Sequence, residues 1–331
     1  MSDETVLITG GAGFIGSHLA TSLLDKGYKV LVLDDMSRTS WENIRALYNF
    51  GDRFCFIQGD VRDSALIDKL VEGADYVFHL AAQVHWEESI NYPRESFDIN
   101  TMGTLNVLEA VRKNYVTRNP VKLLVYASSS EVYGTAKYVP MDEDHPFDPQ
   151  SPYAAGKAAA DRLCSAYHHV YRVPVVIFRQ FNTYGPRQRV KGYSAVVPIF
   201  VNRIFDNRPP VIYGDGDQAK DFHYIDDLIK AYELVMHNFE QLIGHAINFG
   251  TGVDTTINKL ADLLLRIAAQ KLKRPKLTKE LAPVHAPERP GEVRRFVADI
   301  GLAKRLLGFE PQISLKQGLE RYVDWYLKEC V

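Results

Sequence analysis

The chain's 331 residues are 46% apolar and 24% charged, which excludes a disordered or fibrous protein and leaves room for two lobes. Its 39 Lys and Arg against 41 Asp and Glu leave a net charge of −2, too flat a balance for a nucleic-acid surface or a polybasic membrane anchor. No run reaches the roughly 18 apolar residues of a membrane span, and the opening MSDETVLITGG lacks a basic region ahead of an apolar one, so no secretory signal is expected. Cys55, Cys164 and Cys330 are isolated, with no CxxC and no metal spacing. They read as small buried side chains in a reducing cytoplasm.

In chain order, TVLITGG, KVLVLDD, FCFIQGD, YVFHLAA, KLLVYASSS and VPVVIFRQ are short runs rich in β-branched residues. They are nearly all apolar instead of alternating, so each is predicted to be a strand buried on both faces, as in a parallel sheet covered by helices. Between them lie helical patterns at 14–27, 64–73, 100–114 and 152–172, the first ending at Gly27, a suitable C-cap. This alternation predicts an α/β fold with a doubly wound parallel sheet of the Rossmann kind. After about residue 180 the texture becomes turn-rich. A helix over 226–239 and a strand over 246–250 bring the chain back to the first sheet. Helices at 257–274 and 313–329, with a loop over 282–295, suggest a smaller C-terminal lobe closing over the carboxyl ends of the strands, where pockets form in such sheets. Tyr322, Trp325 and Tyr326 recur at helical spacing and read as core.

Gly10, Gly11, Ala12, Gly13, Phe14, Ile15 and Gly16 join the first strand to the first helix. Glycine spacing in that context lets backbone approach a pyrophosphate, and the helix start supplies free N–H groups and positive potential. Asp34 closes the second strand, where a carboxylate accepts from ribose hydroxyls and repels a 2′-phosphate. NAD is therefore expected over NADP, although Arg38 nearby would tolerate a phosphate. Asp60 is either an acceptor for the adenine amino group or a strand-end turn residue.

Tyr153 and Lys157 are four apart in a helical segment and share one face. A phenol is a poor base at neutral pH. An adjacent ammonium, together with a nicotinamide charge, is expected to lower its pKa so that it takes a hydroxyl proton as hydride leaves for the cofactor. Ser129 ends the fifth strand beside them.

Together with HLAA at 79–82, SSSEVYG at 128–134, FNTYGPRQ at 181–188, GDGDQ at 214–218, DFHYIDD at 221–227 and ERPGE at 288–292, these residues make the whole chain resemble an extended short-chain dehydrogenase/reductase of the nucleotide-sugar epimerase, dehydratase and decarboxylase group. The resemblance implies a catalytic Ser129, Tyr153 and Lys157, with Tyr153 and Lys157 also holding the cofactor together with Asp60, Val61, Leu80, Ala81 and Ala82. It implies a sugar nucleotide held by His85, Ser129, Ser130, Asn182 and Arg289. Lys220 stands where the group usually has arginine and offers a point charge without the fork. Trp86 is either a pocket residue or a packed loop aromatic. The implied division is an NAD-binding domain over 1–180, with 221–250 returning to it, and a nucleotide-sugar lobe over 181–220 and 251–331. The group commonly forms homodimers through helices matching 100–114 and 152–163.

Glu131 discriminates among the reactions. Four-epimerases of the group usually carry a non-acidic residue there, and glucose-type dehydratases carry Thr-Asp-Glu. Ser129-Ser130-Glu131 keeps the base that removes the carbon 5 proton and lacks the Asp that protonates the departing hydroxyl. Glu131 then serves as base and acid, or Ser130 positions a water. The pattern is similar to GDP-mannose dehydratases, to dehydratases acting on nucleotide-linked N-acetylglucosamine and to UDP-glucuronate decarboxylases, and the stretch over 131–157 most resembles the N-acetylglucosamine dehydratases. It implies an NAD-dependent 4,6-dehydratase acting on UDP-GlcNAc or a related hexose, with UDP-glucuronate decarboxylase, 4-epimerase and a non-catalytic NAD(H)-binding regulatory protein as alternatives.

Overall fold

The computed structural model describes residues 3–115, 120–188, 195–289 and 293–330. The first half runs β1 (Thr5–Thr9), α1 (Phe14–Asp25), β2 (Lys29–Asp34), α2 (Glu42–Arg45), β3 (Phe54–Gln58), α3 (Ser64–Glu72), β4 (Tyr76–His79), α4 (Trp86–Asn91), α5 (Pro93–Phe97), α6 (Gly103–Asn114), β5 (Leu123–Ser129), α7 (Pro152–Tyr171) and β6 (Val175–Gln180). The second half runs β7 (Asn182–Tyr184), α8 (Val196–Phe205), β8 (Val211–Tyr213), β9 (Ala219–Tyr224), α9 (Ile225–His237), β10 (Ala246–Phe249), β11 (Asp254–Thr256), α10 (Ile257–Lys271), α11 (Leu277–Glu280), β12 (Val284–Ala286), α12 (Gly301–Leu307) and α13 (Leu315–Glu329).

Seven strands form one sheet in the order β10-β6-β5-β4-β1-β2-β3, every neighbouring pair parallel. Parallel strands need crossovers, and the amphipathic segments supply them on both faces. Residues alternate between two apolar layers. Ile8, Phe78 and Val125 join the layer under α1 and α9, while Leu7, Val77 and Leu124 join the layer under α3, α6 and α7. The first layer runs without a break into α8, α10 and α13, where Tyr322 and Tyr326 are buried in it. Gly27, with φ +92°, ends α1 in the left-handed region that glycine enters freely.

Three expectations need correction. β3 lies at the sheet edge, so it is only partly covered and Cys55 is exposed. Cys330 is also exposed beyond α13, leaving Cys164 as the buried thiol. The 282–295 segment is not all loop, because Val284–Ala286 pairs in parallel with β8. Outside the main sheet, β11, β9 and β7 form a three-stranded sheet beside the carboxyl edge.

Candidate active site

The chain order reverses between β1 and β4, and the loops leaving the carboxyl ends of neighbouring strands open a crevice there. After β1 the chain turns at Gly10 (φ +68°), whose N–H donates to the Leu33 carbonyl at 2.8 Å. A Cβ on Gly10 would sit 2.7 Å from the Ala81 nitrogen, and one on Gly16 would collide with the Gly10 carbonyl. α1 begins at Gly13 with no side-chain cap and no acid in its first turn, so its first N–H groups face the crevice. Asp34 steadies this turn: its Oδ2 accepts from Ala12 N–H and its Oδ1 from Met36 N–H, both at 3.0 Å. Burial nevertheless raises its pKa.

The loop after β4 is pinned from below. Thr9 Oγ1 lies 2.7 Å from His79 Nδ1, and His79 Nε2 lies 3.0 Å from Thr104 Oγ1. Burial drives His79 down to about 3, so it is neutral. Asn100 lies in a π-helical segment over Asp98–Met102. Its Oδ1 accepts from Gln83 N–H at 2.8 Å, and its Nδ2 donates to the Gln83 carbonyl at 3.0 Å. Its amide thus fixes the path of 80–85, and π-bulges of this kind are frequent at functional sites.

β5 delivers Ser129 into a tight turn over Ser130–Tyr133, and the Ser129 hydroxyl accepts from Glu131 N–H at 3.2 Å. α7 starts where Ser151 caps it and Pro152 fits its first turn. Tyr153 and Lys157 point together into the crevice. The phenol bonds to the Ser129 hydroxyl and feels the Glu131 carboxylate. Lys157 Nζ donates to the Ala127 carbonyl at 2.6 Å and lies over the Tyr126 ring. Lys157 is not among the groups that shift the phenol. Burial pushes Tyr153 up to about 12, opposed by the Ser129 bond and reinforced by the Glu131 charge. Burial likewise brings Lys157 down to about 8.

These segments enclose one cavity of about 1340 Å³. Its walls include the glycine turn with Phe14 and Ile15, the strand ends at Asp34, Asp60 and Val61, and the 80–86 loop with Leu80, Ala81, Ala82, His85 and Trp86. Ser129, Ser130, Glu131, Tyr153, Lys157 and Asn182 complete the part foreseen from sequence.

The sequence profile of the GDP-mannose 4,6-dehydratase family matches residues 7–322. A putative UDP-glucose 4-epimerase from Methanocaldococcus jannaschii is 36% identical over 322 residues, 97% of each chain. The chain belongs to the extended short-chain dehydrogenase/reductase family of nucleotide-sugar epimerases and dehydratases. Among solved structures, a UDP-glucose 4-epimerase from Thermotoga maritima determined with UDP-glucose matches with a TM-score of 0.87 and 32% identity, covering 98% of this chain and 99% of that one. A dTDP-glucose 4,6-dehydratase from Streptomyces venezuelae, determined with NAD bound, matches with a TM-score of 0.87 and 31% identity, covering 98% and 97%. The chain is thus an enzyme of the nucleotide-sugar dehydratase and epimerase class.

For this family member the crevice fits a dinucleotide on its own geometry: glycines stand where a Cβ would meet backbone, and a helix start without a cap faces the same space. Asn182 Nδ2 and Gln188 Oε1 are buried with no partner among the described residues, and both side chains line the cavity. Such orphaned atoms suit a polar ligand.

Two foreseen substrate residues do not reach the wall. Lys220 lies on β9 paired with Thr255, within the small sheet. Arg289 stacks 3.7 Å from the Tyr213 ring centroid and lies 3.7 Å from Glu87 of α4, at the rim. Pro290, Gly291 and Glu292 of its motif fall outside the described residues. Asp60 is engaged by Arg62, whose guanidinium holds that carboxyl below its usual range. Arg38 forms a two-pronged pair with Glu88 of α4.

Sequence reasoning missed Gln83, Arg187 and Gln188, although the last two stand inside the FNTYGPRQ motif. It also missed Glu329 and Cys330 at the end of α13, and it read Trp325 as core alone. No local pattern marks that helix as a wall of the cavity.

Proposed function

We propose that the chain is an NAD-dependent nucleotide-sugar 4,6-dehydratase acting on UDP-GlcNAc or a related nucleotide hexose. The observation that carries this is the Glu131 carboxylate sharing one cavity, and an electrostatic interaction, with the Tyr153 phenol. When bound, NAD supplies the acceptor and donor of a transient oxidation. Tyr153 takes the proton of the carbon 4 hydroxyl, and the Ser129 hydrogen bond is the contact that favours phenolate. Lys157, buried and cationic below about pH 8, offsets negative charge beside it. A ketone at carbon 4 acidifies the carbon 5 hydrogen. Glu131 collects that proton and passes it to the carbon 6 hydroxyl, which departs as water while the carbon 5–carbon 6 double bond forms; the hydride removed from carbon 4 is returned at carbon 6 as a solvent-derived proton reaches carbon 5.

The cofactor would rest on Gly10, Gly13, Gly16 and Asp34, with the sugar nucleotide held by Asn182 and by residues within 181–220 and 251–331. Two observations favour epimerisation as the second reading: the 36%-identical relative is named a 4-epimerase, and Ser130 leaves Glu131 without a neighbouring acid. A decarboxylase would want a guanidinium free for a sugar carboxylate. Among the described residues the arginines lining the cavity, Arg38 and Arg187, are paired with Glu88 and with the Ser17 carbonyl and Thr21 hydroxyl.

Incubation with a panel of nucleotide sugars followed by mass analysis tests the reading. Loss of one water supports it, and an isomer of unchanged mass supports epimerisation. Glu131→Gln is expected to lower water loss at least a hundredfold, and undiminished turnover of that variant would refute the assignment. Two copies are proposed to pair through α6 and α7, beside which Met102, Tyr115, Val170 and Tyr171 are exposed. Light scattering checks this, and a monomer would exclude it.

A further inference from the structure

Beneath the turn that carries Glu131 lies a buried polar network that no catalytic step above uses. Arg179 of β6 is 2% exposed and Asp161 of α7 is fully buried. Arg179 Nε donates to Asp161 Oδ2 at 3.0 Å and Nη2 donates to Oδ1 at 3.1 Å. Asp161 also accepts from the Ser128 hydroxyl at 2.8 Å, and Ser128 is registered opposite Arg179 across β5 and β6. The other prong of Arg179, Nη1, donates to the Tyr133 hydroxyl at 2.8 Å and to the Glu143 carbonyl at 2.9 Å. Tyr133 in turn donates to Asn248 Oδ1 at 2.7 Å. Asn248 is fixed by its own N–H on Glu143 Oε1 at 2.8 Å and by its Nδ2 on the Met141 carbonyl at 3.0 Å.

Ser128 stands two residues before the turn and Tyr133 closes it, so the network grips the chain on both sides of Glu131. Asp161 lies one helical turn beyond Lys157 and two beyond Tyr153 on α7. One guanidinium therefore ties the turn bearing the carboxylate to the helix bearing the phenol. The exit is set as well: Gly134 has φ +65°, and a Cβ there would collide with the Asp148 carbonyl. A buried ion pair is seldom more stabilising than apolar residues of the same volume. Its value here lies in geometry, because a 1 Å displacement of a catalytic group costs about a hundredfold in rate.

We propose that Tyr133, Arg179 and Asp161 act as positioning residues that hold Glu131 at the carbon 5 hydrogen of a substrate whose carbon 4 hydroxyl meets Tyr153. The inference rests on the dehydratase reading and adds residues that touch neither substrate nor cofactor. Tyr133 is the member that can be altered most gently. Tyr133→Phe keeps the ring and its edge contacts with His145 and Phe147 while removing the hydroxyl that links Arg179 to Asn248.

The holoenzyme, Tyr133→Phe, Asn248→Ala and Glu131→Gln are assayed with UDP-N-acetylglucosamine in deuterated water. Four quantities are read: KM, the single-turnover rate of carbon 4 oxidation, water loss, and deuterium entering carbon 5 of the product. Tyr133→Phe and Asn248→Ala are expected to keep KM and the oxidation rate within about twofold. They are expected to slow deuterium entry and water loss by about ten- to a hundredfold. Wild-type rates in both variants overturn the positioning role, and so does an equal slowing of oxidation and deuterium entry, the mark of a merely structural role. If the wild type shows neither water loss nor deuterium entry, the dehydratase reading falls first and takes this inference with it. If the wild type shows both and Glu131→Gln neither, a normal Tyr133→Phe refutes the positioning role alone.

Discussion

Two arginine–carboxylate pairs flank the same crevice and behave as opposites. Arg179 and Asp161, under the floor, expose 2% and 0% of their side chains, whereas Arg38 and Glu88, at the rim, expose 23% and 18%. The buried pair has replaced all its water with protein partners, and breaking it strands a charge where nothing solvates it. The rim pair keeps water within reach of both groups. A buried network holds one geometry, and a half-exposed pair can open.

The largest expected effect follows directly. Asp161→Asn leaves the Arg179 guanidinium buried without its counter-charge, a change that costs about 3–5 kcal/mol. Urea denaturation is expected to show that loss, with Arg179→Met costing less because Arg162 still pairs with Asp161. A loss below about 1 kcal/mol in both would mean that the floor behaves like the rim, and the contrast would collapse.

Acid sharpens the same contrast. His79 and His223 are fully buried, and burial lowers both to about 3 from an ordinary 6.5. The unfolded chain therefore binds protons that the folded chain refuses between about pH 6.5 and pH 3. Their contribution to stability is complete above 6.5 and is lost as pH falls, by about 1.4 kcal/mol per histidine for each pH unit in that window. His223 has no partner on either ring nitrogen among the described residues, and the Phe309 ring stands edge-on to it. His223→Leu is expected to flatten the stability–pH slope by one histidine's share without lowering stability at pH 7. Denaturation curves at pH 7, 6 and 5 measure it, and an unchanged slope would place the titration elsewhere.

These differences mark where sequence reading stops. The glycine turn, Asp34 and the Tyr153–Lys157 pair are legible because each is a local pattern: a strand running into glycines, an acid at a strand end, a four-residue helical spacing. The six parallel strands and the return of β10 are legible because fully buried strands are continuously apolar. Asp161 and Arg179 are 18 residues apart and Arg38 and Glu88 are 50 apart, so strand order alone brings each pair together. Tyr133 and Asn248 are 115 apart. What holds Lys157 is missed for a related reason. Helical spacing places Lys157 on the right face, but only the fold reveals that the Ala127 carbonyl holds its ammonium. Exposed Cys55 and the short β12 follow from edge positions that composition does not encode.

The smallest effect on stability belongs to the rim, where an effect on kinetics is expected instead. β1 lies between β2 and β4 in the sheet, and the glycine turn rises from the end of β1. Arg38 follows β2, and Glu88 belongs to α4, which follows β4. A pair joining them must therefore cross above the turn on which a dinucleotide would rest. Glu88→Gln leaves Arg38 tethered by at most a hydrogen bond to a neutral amide, and a part-exposed pair contributes about 1 kcal/mol or less to folding. Melting is therefore expected to stay near that of the wild type. A strap over a dinucleotide resting there would be weakened by the same amount, and NAD release is expected to quicken by up to about fivefold, since 1.4 kcal/mol corresponds to a factor of ten. Stopped-flow displacement of bound NAD measures it. Unchanged release would show that the pair opens freely already and closes nothing, while a large drop in melting temperature would mean that this pair, too, belongs to the floor.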